Sequence, residues 1–149
     1  MANLGRIDNK FNWLILFALF EREQFAPGQG ISKTKLNSMF LAVSGMGYKR
    51  FEFTGYGYEN DFSGLLCSAA DLLADERAYD LATTWIAPYW NREKDEPEDA
   101  KYWRINEKGI KKMKDRKITD MISKLAEEEF MARKNMVQIV RAIRNLVQY

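Results

Sequence analysis

Histidine is absent from all 149 residues, and that removes more chemistry than any other feature of the sequence. Gone with it are the commonest general base, every Ser-His or Cys-His nucleophile pair, and every metal site that needs an imidazole. The single cysteine, Cys67, leaves no internal disulfide and no second thiolate to help hold zinc. It falls on a predicted helix beside Asp71, with no cation to favour its thiolate, so it reads as a small inert residue. No catalytic, cofactor-binding or metal-binding residue is therefore assigned, and an enzyme is not expected. The longest strongly apolar run, 13–20, is far too short to span a bilayer, and no signal-peptide pattern is present. Together these absences point to a reducing compartment, the cytoplasm, and to no membrane partner.

What is present is a foldable chain with uneven charge. A hydrophobic share of 46% argues against disorder, and the length suits one domain with an appended helix. Residues 1–58 carry net +3, residues 59–104 net −6 and residues 105–149 net +5. An acidic middle thus lies between two basic ends.

The segment 56–73 reads as an aromatic turn feeding an amphipathic helix, with Phe62, Leu65, Leu66, Ala69 and Leu73 on one stripe. Asn60, Ser63, Gly64, Cys67, Ser68 and Asp71 fall on the other face. Before it, the periodicity predicts a helix from about 9 to 24, apolar nearly all round, and a second from Lys33 to Val43 capped by Ser32. Residues 50–54 read as a short strand or extended link. After it, residues 77–90 read as a strand ending near Pro88, 91–100 as a solvated tip, and 101–105 as the returning strand. Asn106 then starts a further helix. Such an order is that of a winged helix-turn-helix, mainly α with a small β-hairpin wing (α+β), whose third helix usually enters a DNA groove. Trp13, Trp85, Tyr89 and Trp90 are candidates to line an apolar pocket, or simply core.

From Ile118 onward there is no proline or glycine, and Ile118, Ile122, Leu125, Met136, Ile139, Ile143 and Leu146 recur at coiled-coil spacing. The domains expected are 1–117, winged helix, and 118–149, a long C-terminal helix that packs against a second chain, forming a homodimer, as well as against its own domain. A bend near 127–129 that folds this helix back onto its own chain is the alternative.

Two runs carry a family resemblance. Tyr56-Gly57-Tyr58 through Phe62-Ser63-Gly64-Leu65 resembles the aromatic-glycine turn into the third helix of PadR-like and related archaeal or phage winged-helix regulators. Tyr102-Trp103-Arg104-Ile105-Asn106-Glu107-Lys108-Gly109 resembles the run that closes their wing and opens the next helix. The resemblance implies a homodimeric regulator that binds duplex DNA. Lys33, Lys35, Lys49 and Arg50 would then hold phosphates, with Asn37 on the same outer face. Asn60, Ser63 and Ser68 would approach bases, and Arg92 and Lys94 would reach the flanking backbone. A basic run from Lys108 to Lys117 adds phosphate contacts if it faces the same side. Against this, 58–73 holds no cation and three acids, Glu59, Asp61 and Asp71, and the wing is rich in acids. The second reading is a winged-helix interaction module, or an inhibitor that mimics nucleic acid, with a protein partner at the acidic surface.

Overall fold

A helix that is apolar nearly all round has to be enclosed on every side, and the first helix is. In the computed structural model, which describes residues 10–44, 59–115, 120 and 133–148, α1 spans Lys10–Phe25 and residues 12–19 are all buried. There follow β1 (Ile31–Ser32), α2 (Lys33–Ser44), α3 (Glu59–Ala74), β2 (Ala82–Asn91), β3 (Glu96–Ile105), α4 (Glu107–Asp115) and α5 (Arg133–Leu146). Among the described residues this is an α+β fold of five helices and one three-stranded antiparallel sheet. α1 is surrounded by α3, α4, α5 and β3, and α2 lies against α3 and α5. Phe17, Phe40, Leu73, Trp103, Ile139 and Ile143 meet in the core with no exposed surface.

Local chemistry sets the helix starts. The Ser32 hydroxyl accepts the Lys35 amide at 3.2 Å, and the Asn106 side-chain oxygen accepts the Gly109 amide at 2.8 Å. Both satisfy a first-turn donor that the helix itself leaves unpaired. Between α1 and β1 the chain turns through Gly30 at φ +67°, where a Cβ would collide with the Trp103 carbonyl and the Trp85 ring. Only glycine fits that approach.

The sheet order is β1-β3-β2. Ile31 stands opposite Trp103 and Ser32 opposite Tyr102, while β2 and β3 pair from Ala82–Ile105 out to Asn91–Glu96. The hairpin therefore differs from the sequence expectation. β2 begins at Ala82, because Arg77 lies in a turn where its amide binds the Asp75 carboxylate at 2.8 Å. The tip is only 92–95, and residues read as a solvated insert pair as strand. The segment 50–54 lies outside the described residues.

Three consecutive charges at the end of α1 tie the layers together. Arg22 donates to the carbonyls of Gly30 and Val147 and to the Gln29 side chain. Glu23 takes the Arg104 guanidinium through both oxygens, at 3.1 and 2.9 Å, and also accepts the Gly28 amide at 3.0 Å. Glu21 faces Arg144 of α5 at 3.4 Å.

α5 carries the largest correction to the expected seam. Ile139 and Ile143, expected on a seam shared with a second chain, are fully buried in this chain's own core, and Leu146 packs half-buried against it. α5 lies on α1 and α2, and the bend of the folded-back alternative, near 127–129, falls outside the described residues. A helical period marks an apolar face, and α1, unable to be covered by the sheet alone, takes that face up. Ile118, Ile122 and Leu125 lie outside the described residues, as does the Met136 side chain. Ile143→Ala is accordingly expected to cost about 2–5 kcal/mol of unfolding free energy. Urea denaturation should show that loss, and sedimentation of the folded protein should show no change in mass.

Candidate functional site

α3 and one face of the hairpin form a continuous surface. The sheet face that packs on the core carries Ile31, Ala82, Trp103 and Ile105. Because side chains alternate along a strand, the same face emerges toward the tip as Thr84, Ile86, Pro88 and Trp90. Ile86 and Trp90 are 67% and 58% exposed. Asp71 joins α3 to this face: it accepts the Trp103 indole N–H at 3.0 Å and pairs with Lys101 at 2.8 Å. Lys101 also sits over the Trp103 ring, 5.6 Å from its centroid. Asp71 is thus turned toward β3, while Ser68 and Leu72 of α3 stand exposed.

On the opposite face, Trp85 stacks on Tyr102 with centroids 5.6 Å apart. Nearer the tip, Glu98 gathers the Tyr89 hydroxyl at 2.8 Å, the Asn91 amide at 3.1 Å and Lys94 at 2.8 Å. These donors, Lys94 foremost, hold the Glu98 carboxyl down at about 2. Their hydrogen bonds to Glu98, and then its charge, push the Tyr89 phenol and the Lys94 ammonium up. Asn91 also caps the tip turn by accepting the amides of Glu93 and Lys94. A groove of about 320 Å³ opens between this face and the start of α2, with Thr34, Ala100 and Arg92 among its walls.

The residues expected to bind DNA divide into groups. Lys33, Ser68, Arg92 and Lys94 are exposed, Lys94 on its Glu98 pair. The groove brings the start of α2 and the tip around Arg92 together. Lys35 is a correction: its ammonium is closed off from solvent and has no hydrogen-bond partner among the described residues. Burial and the nearby Arg22 charge push it down. Asn37 is half-buried, its side-chain oxygen also without a partner among the described residues. Lys49 and Arg50 lie outside the described residues, as do the side chains of Asn60 and Ser63. Lys108, Lys111, Lys112 and Lys114 are on α4, at the far end of β3 from the tip, with Lys108 paired to Asp80. Ten strand residues span roughly 30 Å, so these cations and Arg92 do not converge.

Trp13 is core, whereas Tyr89 and Trp90 line the groove. The sequence reading missed the Glu98 cluster, Ile86 and the groove; alternation counted from Trp103 back along the hairpin would have placed all three on their faces. Among the described residues, no helix is long and apolar enough to cross a membrane, and no three potential metal-ligating side chains cluster. No protein-family model, curated protein or solved structure matches the chain.

Two outcomes test this geometry. Glu98 has its folded pKa lowered from 4.5 to about 2, so its ordering of the tip is complete above 4.5 and lost as pH falls toward 2. NMR of the Tyr89 ring and Asn91 amide should be flat from about pH 7 to about pH 4 and change as pH falls toward about 2, and Glu98→Gln should abolish the change. Lys35→Met should raise the Tm by a few degrees, because it removes a buried, unpaired ammonium; a lowered Tm would mean that the ammonium makes a stabilising contact.

Proposed function

We propose that the chain is a winged helix-turn-helix protein that binds duplex DNA as a transcriptional regulator. The observation that carries this reading is the sheet order β1-β3-β2 within the element order α1-β1-α2-α3-β2-β3. In it a two-residue strand ahead of the second helix pairs with the far strand of the hairpin. That arrangement suits a helix-turn-helix of α2 and α3 backed by a wing. α3 then faces the DNA major groove with Ser68 and Leu72 outward, while Lys33 and Arg92 meet phosphates. The turning of Asp71 onto Trp103 and Lys101 relieves one of the acids that stood against DNA. The regulator role rests on the likeness to PadR-like proteins. A homodimer, if formed, uses surfaces other than Ile139 and Ile143.

A protein-binding role is the second reading, and the exposed Ile86 and Trp90 favour it. Trp is a frequent interface anchor, and neither residue contributes to phosphate contact.

Anisotropy titrations of a labelled mixed-sequence duplex across a salt series test the first reading. Affinity should fall steeply with salt, and Lys33→Ala and Arg92→Ala should each flatten the logarithmic slope by about one unit. Lys111→Ala and Lys114→Ala should leave it alone. Absence of binding at low salt, or a slope untouched by the Lys33→Ala/Arg92→Ala double variant, would sink it.

A further inference from the structure

The groove on the outer face of the hairpin has a shape, an edge and a charge. Its floor is Ala100, whose register partner is Ala87. This methyl pair lies between the Trp85–Tyr102 stack on one side and Tyr89 on the other. Small residues between aromatic walls leave room for one large side chain. The edge comes from the brevity of β1. Ser32 pairs with Tyr102, and the chain then turns into α2 at Lys33, whereas β3 continues to Glu96. Residues 96–101 therefore have, among the described residues, no strand beside them on the side away from β2. Unpaired strand edges accept extended segments through main-chain hydrogen bonds.

The charge chooses among occupants. Lys94 is held by Glu98 and Lys101 by Asp71. Glu93, Asp95, Glu96 and Asp99 remain around the tip with no ion pair among the described residues, against Arg92 alone. Duplex DNA can meet Arg92 at the rim but would be repelled from the groove itself by these acids. A second copy of this edge would set acid against acid. A basic segment meets none of these penalties.

We propose that this groove docks an extended segment of a partner protein, basic on average, that adds as a strand along β3 and seats one aromatic or branched aliphatic side chain over Ala100. The partner's cations, alternating with the anchor, face Asp99 on the other side of the sheet and Glu93 and Asp95 at the tip, and Tyr89 flanks the anchor on the tip side. Only the register of the sheet is required, so the site stands whether or not α3 reads DNA.

The test uses the full chain and amide NMR, with a blocked heptapeptide alternating Lys with Val and a central Phe, and a control with Glu for each Lys. The Lys peptide should shift the amides of Thr34, Ala100 and Tyr102, and the Glu peptide should not. Joint replacement Glu93→Gln, Asp95→Asn, Glu96→Gln and Asp99→Asn, all at exposed positions, should weaken binding about tenfold or more. Ala100→Phe should abolish it, and a dispersed spectrum of that variant shows that the fold survives. If Ala100→Phe unfolds the chain, the charge variant decides. The proposal is overturned if the Lys peptide leaves Ala100 and Tyr102 unmoved, if both peptides bind alike, if the charge variant binds unchanged, or if duplex DNA shifts these amides instead.

Discussion

Enclosing α1 is the constraint on which the rest depends. Eight consecutive residues, 12–19, are hidden from solvent, and no single sheet or helix pair covers a cylinder from all directions. α3 and β3 cover part of it, and α4 and α5 cover the remainder. Helix ends carry unpaired carbonyls, and the last turn of α1 is where its charged residues gather. Glu21, Arg22 and Glu23 reach respectively to α5, to the turn before β1 and the end of α5, and to β3. Glu23 is nearly buried, so loss of Arg104 would strand a carboxylate in a low-dielectric site. The sheet and the C-terminal helix are thereby fixed to one axle.

That arrangement decides what is left outside. With α5 drawn onto α1, the surfaces left open among the described residues include the outer side of α3 and the outer half of the hairpin. Several acids that look available for an external role in the sequence are internal fastenings. Asp71 locks α3 to β3, Glu98 stiffens the tip, and Asp80 holds the start of α4 through Lys108. The same pairs consume Lys101, Lys94 and Lys108. Net charge by segment therefore misstates the working surface, which is set by the few charges no neighbour has taken.

The sequence made the helices legible where a cap and a period coincide. Ser32 and Asn106 mark starts through side chains that accept first-turn amides, and α3 follows its apolar stripe through Leu66, Ala69 and Leu73. β1 was illegible because two residues carry no period. The outer hairpin was misread because its charged residues pair as strand while remaining solvated on both faces; Glu96, Glu98 and Asp99 have the composition of a loop and the register of a ladder. Ile139 and Ile143 show a deeper ambiguity: spacing of three and four states that a face is buried, and is silent on which chain buries it. Lys35 shows its counterpart for charge, since composition gives the sign of an ammonium and not the direction in which its stem runs.

Native-state hydrogen exchange tests the enclosure of α1 most directly. If α5 belongs to the same cooperative core, the amides of Leu16, Phe17 and Ile143 exchange only through global unfolding. Their opening free energies should agree with one another and with that from urea denaturation, at every protein concentration. Ile143 opening at markedly lower free energy than Phe17, or protection of Ile143 that grows with protein concentration, would contradict the account: the first would detach α5 from the core, and the second would return its apolar face to a second chain.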